Sequence, residues 1–163
     1  MAKKILFVCS GNTCRSPMAE GLARHLLPRP GEWAAGEEEI LVFSAGVHAL
    51  PGDPATENAV EALAEDGIDL RRHRAALLTR EMIHEADLVL TMTAGHRRLV
   101  REMAPDQAGK VFTLAEYAGV GGDLPDPFGQ PPAVYRRYAG ELRHMVRLAL
   151  ERFRRENAGA GRK

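Results

Sequence analysis

Residues 9–16, Cys9-Ser10-Gly11-Asn12-Thr13-Cys14-Arg15-Ser16, leave this chain few ways to fold around them. Before them runs Lys4-Ile5-Leu6-Phe7-Val8, a short apolar stretch rich in β-formers that reads as a buried strand. After them comes Pro17, which a first helical turn tolerates, and Met18 to Leu27 places its apolar residues at helical spacing. The octet is therefore a strand-to-helix turn. Such a turn directs free backbone N–H groups and the positive end of a helix at one point, which makes it an anion site. Cys9 opens the turn and Arg15 closes it. A thiol facing that much positive charge favours the thiolate, and a planar guanidinium can hold two oxygens of one phosphate. Nucleophile, cradle and clamp together describe attack on a bound phosphoryl group. A cysteine at a strand end is often a small buried hydrophobe, and Gly-Asn is often turn chemistry alone. Neither explains Cys, five residues, Arg and Ser inside one strand–loop–helix frame. A Walker-type phosphate loop is excluded, because Gly-x-x-x-x-Gly-Lys-Ser/Thr does not occur.

The rest of the chain alternates strands and helices. Pro17–Leu27 is the first helix, burying Met18, Leu22 and Leu26, and Gly31–Glu39 is an exposed loop carrying Trp33. Glu39–Phe43 is the second strand. Asp53-Pro54-Ala55-Thr56 starts a helix with an acidic cap, with Ala59, Val60, Leu63 and Ala64 as its buried face and Gly67 as its end. Arg71–Leu78 is a basic connection, Thr79–His84 a short helix and Asp87–Met92 the third strand. Ala94–Met103 is helical, with Arg97, Arg98 and Arg101 on a solvated face. Lys110–Leu114 is the fourth strand, and Gly119–Pro132 is a long Gly-, Pro- and Asp-rich loop with room for function. Val134–Arg155 closes the chain as an amphipathic helix whose inner face carries Tyr138, Leu142, Met145, Ala149 and Phe153. The expected organisation is one α/β domain over 1–156 and a flexible tail over 157–163. Its strands form an open sheet of four parallel strands, with helices on both faces and the phosphate loop after strand 1. Ligands of such sheets sit beyond the carboxyl ends of the strands, which gathers Cys9, Ser44, Thr93 and the Gly119–Pro132 loop on one rim.

Twenty-two basic residues balance 22 acidic ones, so no net field draws the chain to nucleic acid or an anionic membrane. No apolar run approaches a membrane span and no secretory h-region is visible at the N-terminus, so the expected location is the cytoplasm. The two cysteines share one loop, which argues against a disulfide framework. Their spacing and the scattered histidines argue against zinc, so neither metal nor cofactor is expected. A reversible Cys9–Cys14 disulfide would shield the nucleophile from overoxidation.

A leaving group departs with negative charge unless it is protonated, and a carboxylic acid on the Gly119–Pro132 loop could supply that proton. Asp126, stiffened between Pro125 and Pro127, is the first candidate and Asp123 the second. Asn12, which tolerates left-handed backbone, would hold the loop open, and Ser16 would hydrogen-bond the Cys9 sulfur.

Cys-x5-Arg-Ser so near the N-terminus, with Asn12 inside the loop and Pro17 after it, resembles the low-molecular-weight protein tyrosine phosphatases. Ser44-Ala45-Gly46 and Asp126-Pro127-Phe128 extend the resemblance from Lys3 to about Phe153. Thr13 and the run Lys110–Leu114 through Glu116-Tyr117 look nearest to the bacterial protein-arginine phosphatases. The resemblance implies strand order 2-1-3-4 and a phosphocysteine intermediate on Cys9. It implies Arg15 as the oxyanion clamp, Asp126 as the acid, and Ser44 and His73 as supports of the loop. Ser10, Gly11, Asn12, Thr13, Cys14 and Ser16 then bind the phosphoryl group, and Phe128 walls the slot beside it. The resemblance also implies a phosphorylated protein as substrate, and the enzyme is expected to be a monomer. Thr13, where tyrosine-directed members commonly carry an apolar branched residue, and the single aromatic Phe128 before Gly129 favour phosphoarginine over phosphotyrosine. Arsenate reductases share the loop but relay a disulfide through downstream cysteines, and none follows Cys14. A phosphate-binding module without catalysis would need neither thiol nor acid. Vanadate-sensitive, chelator-indifferent hydrolysis of an aryl phosphate separates that case from an enzyme.

Overall fold

The computed structural model describes residues 2–158. Four parallel strands, β1 (Lys3–Cys9), β2 (Ile40–Gly46), β3 (Leu88–Thr91) and β4 (Val111–Thr113), form one sheet in the order β2-β1-β3-β4. The strand order and count match the expectation. β1 lies inside the sheet, and its alternation sends Ile5 and Phe7 to one face and Leu6 and Val8 to the other, all buried. Helices α1 (Arg15–Leu26), α2 (Glu57–Ala64) and α6 (Pro132–Ala158) cover the Ile5–Phe7 face. Helices α3 (Arg80–Glu85) and α4 (Ala94–Met103) cover the other. Register pairs Cys9 with Gly46 and Val8 with Thr91, so the carboxyl ends of three strands open onto one rim. Side chains of Thr79 and Thr93 cap α3 and α4 by accepting the Met82 and His96 N–H groups, each cap contributing about 1 kcal/mol.

Several local expectations are corrected. α2 begins at Glu57 with Thr56 at its N-cap, not at Asp53. The Asp53 carbonyl accepts from Ala75 N–H at 2.7 Å, a tertiary bond that keeps the Asp-Pro pair outside the helix. The buried face of α2 is Ala59, Ala62 and Leu63, with Ala64 exposed. Val60 only flanks the core. Of the α4 arginines only Arg98 is solvated: Arg97 pairs with Glu116, and Arg101 donates to the Val111 carbonyl at 2.6 Å, clamping α4 to β4. A short helix, α5 (Leu114–Tyr117), follows β4 directly, and Pro105–Lys110 forms a 3₁₀ turn. α6 starts at Pro132 and runs through Ala158, so Asn157 and Ala158 belong to the helix; residues 159–163 of the expected tail lie outside the described residues. Its buried stripe includes Tyr135 and Val146, while Met145 is only partly covered. Trp33 is half-buried beneath Arg154, which also pairs with Glu37 at 2.6 Å. No helix among the described residues is long and apolar enough to cross a membrane.

Candidate active site

Asn12 is the hub of the loop between β1 and α1. It is fully buried and sits at φ 55°, in the left-handed region that asparagine tolerates. Ala76 N–H can only donate, and it reaches Asn12 Oδ1 at 2.8 Å, which settles which amide atom is which. Asn12 Nδ2 therefore spends its two hydrogens on Ser16 Oγ and Ser44 Oγ, each at 2.9 Å. Ser44 passes its own hydrogen to Glu20 Oε1 at 2.6 Å. Ser16, having accepted from Asn12, has its hydrogen left for Cys9 Sγ, 2.8 Å away. Asn12 N–H points at the same sulfur from 3.3 Å. Cys9 is only 2 % exposed, yet its sulfur meets two donors at the floor of the loop. His73 Nε2 lies 2.7 Å from the Asn12 carbonyl oxygen, so the ring donates there and braces the loop from outside. Ser44, His73, Ser16 and Asn12 thus meet at one point.

In the same loop, the backbone N–H groups of Gly11, Thr13, Cys14 and Arg15 have no acceptor among the described residues. Arg15, itself 6 % exposed, donates from Nη1 to the Leu124 carbonyl at 3.1 Å. That bond fixes the guanidinium plane. Leu124 is buried, and its N–H bonds the Met92 carbonyl at 3.0 Å, so the Gly119–Pro132 loop is pinned to the end of β3. Asp126 Oδ2 stands 3.6 Å from Arg15 Nη2 on a half-exposed side chain, and its Oδ1 accepts from Phe128 N–H at 3.1 Å. Asp123 is otherwise engaged: its Oδ1 accepts from Ala94 N–H at 2.9 Å and ties the loop to the start of α4. Of the two carboxylates, only Asp126 meets Arg15 at the loop. Phe128 is 71 % exposed and stands free beside it.

Thr13 is half-buried and its carbonyl accepts from Thr56 N–H at 2.8 Å. Cys14 is buried away from solvent; burial pushes its thiol up to about 12, with the Tyr135 hydroxyl partly opposing. Cys14 is therefore a neutral thiol at ordinary pH. Both cysteines are free. Among the described residues, no group of three or more His, Cys, Asp or Glu could hold a metal ion.

Sequence reasoning missed Glu20, His96, Leu124 and Tyr135, and treated Gly46 only as part of a motif. Glu20 carries a usable signal, lying one helical turn beyond Ser16 on α1. The others are set by contacts between distant elements. A Cβ on Gly46 would lie 2.4 Å from Ser10 O and 2.8 Å from Asn12 N, so the loop requires glycine there for space. Gly46→Ala is expected to destabilise the fold by roughly 1–3 kcal/mol and to weaken phosphate binding, read by denaturant unfolding and phosphate calorimetry. An unchanged protein by both measures would show that the loop can yield.

Over residues 4–158 the chain matches the family described as low molecular weight phosphotyrosine protein phosphatase. The protein-arginine-phosphatase of Bacillus subtilis (strain 168) is 42 % identical over 153 residues, 93 % of this chain and 97 % of that one. The YwlE arginine phosphatase from Geobacillus stearothermophilus superposes with a TM-score of 0.85 at 40 % identity, covering 96 % of each chain. A YwlE arginine phosphatase variant solved with a phosphorylated active-site serine gives 0.81 at 40 % identity, covering 95 % of each.

Proposed function

The chain belongs to the low molecular weight phosphotyrosine protein phosphatase family, and on that footing we propose that it hydrolyses phosphoarginine in proteins through a phosphocysteine on Cys9. The observation that carries this reading is Arg15 beside Asp126, 3.6 Å apart at the loop whose floor holds the doubly hydrogen-bonded Cys9 sulfur. In the first step the Cys9 thiolate attacks phosphorus in line. The free amides of Gly11, Thr13, Cys14 and Arg15 and the Arg15 guanidinium hold the equatorial oxygens, where charge develops. The bond to the leaving nitrogen breaks, its electron pair stays on nitrogen, and Asp126 delivers the proton. In the second step the Asp126 carboxylate takes a proton from water, the oxygen joins phosphorus and the P–S bond breaks. Ser16 O–H steadies the departing sulfur, and inorganic phosphate leaves.

Several features favour phosphoarginine. Relatives named for that activity align over nearly the whole chain. Thr13 adds a hydroxyl at the loop where an apolar residue would pack a phenol ring. Asp126 and the free face of Phe128 suit a flat cation. The same reading takes the enzyme as a cytoplasmic monomer that acts on phosphorylated proteins without a cofactor; its balanced charge offers no net field to nucleic acid or an anionic membrane.

Paired kinetics on phosphoarginine and phosphotyrosine peptides test the substrate. The wild type is expected to favour phosphoarginine by about tenfold or more in kcat/KM, and Thr13→Ile to narrow or reverse that ratio. A wild type that prefers phosphotyrosine would move the substrate assignment and leave the chemistry in place.

A further inference from the structure

His96 belongs to none of the roles above, yet it touches the loop. It sits in the first turn of α4, is 6 % exposed, and places Nε2 2.8 Å from Ser10 Oγ, the residue directly after the nucleophile. Its other ring nitrogen, Nδ1, is buried without a hydrogen-bond partner among the described residues. A buried N–H lacking an acceptor costs more than a buried lone pair lacking a donor. The proton therefore belongs on Nε2, and Nδ1 carries the lone pair. Nε2–H donates to Ser10 Oγ, and the Ser10 hydroxyl keeps its own hydrogen for another acceptor.

Resting on the phosphatase reading, we propose that His96 is a positioning residue: it fixes Ser10 as a hydrogen-bond donor to a phosphoryl oxygen bound in the loop. Its surroundings favour this neutral form. Burial, then the Arg15 guanidinium, hold the imidazole down to about 4, with His48 acting in the same direction and Asp123 and Asp126 opposing. A bound phosphoryl dianion offsets Arg15, so oxyanion binding raises the proton affinity of His96.

The test combines spectroscopy and kinetics on the full chain. Long-range ¹H–¹⁵N correlation is expected to show the Nε2–H tautomer, neutral at pH 7 and titrating near pH 4, with the titration moving up when vanadate is added. His96→Ala and Ser10→Ala are each expected to lower kcat/KM for an aryl phosphate by roughly three- to tenfold, and the double variant to lose no more than either alone. His96→Gln, whose amide N–H can stand near Nε2–H, should recover most of the loss. An Nδ1–H tautomer, additive losses, or a His96→Ala enzyme as active as the wild type would each overturn the proposal. The spectroscopic arm needs binding but no turnover. An inactive wild type would therefore count against the phosphatase reading and leave the tautomer result to decide His96.

Discussion

Cys9→Ser is expected to fold, to bind phosphate and vanadate, and to show no steady-state hydrolysis. Serine is smaller than cysteine and its hydroxyl can use the same two neighbours, Ser16 Oγ and Asn12 N–H, so the buried site should accept it. The free loop amides and the Arg15 guanidinium remain, so oxyanion affinity should persist. The chemistry fails for two reasons. First, a serine hydroxyl needs a base, and the groups bonded to this position, Ser16 Oγ and Asn12 N–H, both arrive as donors. Second, any serine phosphate that formed would resist the second step, because an alkoxide leaves far less readily than a thiolate. The expected loss in kcat is on the order of 10⁴-fold or more. Mass spectrometry after incubation with substrate should find either no adduct or one phosphoryl group trapped on Ser at position 9. Arg15→Ala should be as inactive by another route, losing oxyanion affinity as well. Turnover by the Cys9→Ser protein at anything near the wild-type rate would remove the covalent mechanism.

The floor of the site was legible because its parts lie close together in sequence: strand, eight loop residues, helix. Cys9, Asn12, Arg15 and Ser16 need only local geometry to converge. Ser44 and His73, 32 and 61 residues from Asn12, came from family resemblance, since neither a turn serine nor a histidine in a basic connection announces a partner. His96 and Leu124 left no trace in the pattern. Their contacts depend on how β3, α4 and the Asp123–Asp126 loop pack against the phosphate loop. The same physics explains the misplaced start of α2. Pro54 fits a first helical turn, but backbone pairing between Asp53 and Ala75 outweighs that local preference. At four residues α5 is too short for periodicity to register.

The choice of Asp126 as acid makes a prediction that depends on the leaving group. Asp126→Asn cannot give up a proton, so its kcat should fall by roughly 10²- to 10⁴-fold on phosphoarginine, whose nitrogen must be protonated to depart. On a nitrophenyl phosphate, whose anion leaves unaided, the first step should be nearly spared and the remaining loss should come from the unassisted water in the second. Trapping the phosphoenzyme with an added alcohol would separate the two steps. The substitution also removes a negative charge 3.6 Å from Arg15 Nη2, so inorganic phosphate should bind more tightly while turnover slows. That opposition is hard to obtain from simple unfolding, which weakens both. Asp123→Asn offers the contrast: Oδ1 can still accept from Ala94 N–H, so turnover should change little. If the two variants slow hydrolysis equally, or if Asp126→Asn slows good and poor leaving groups by the same factor in the first step, proton delivery belongs to another group.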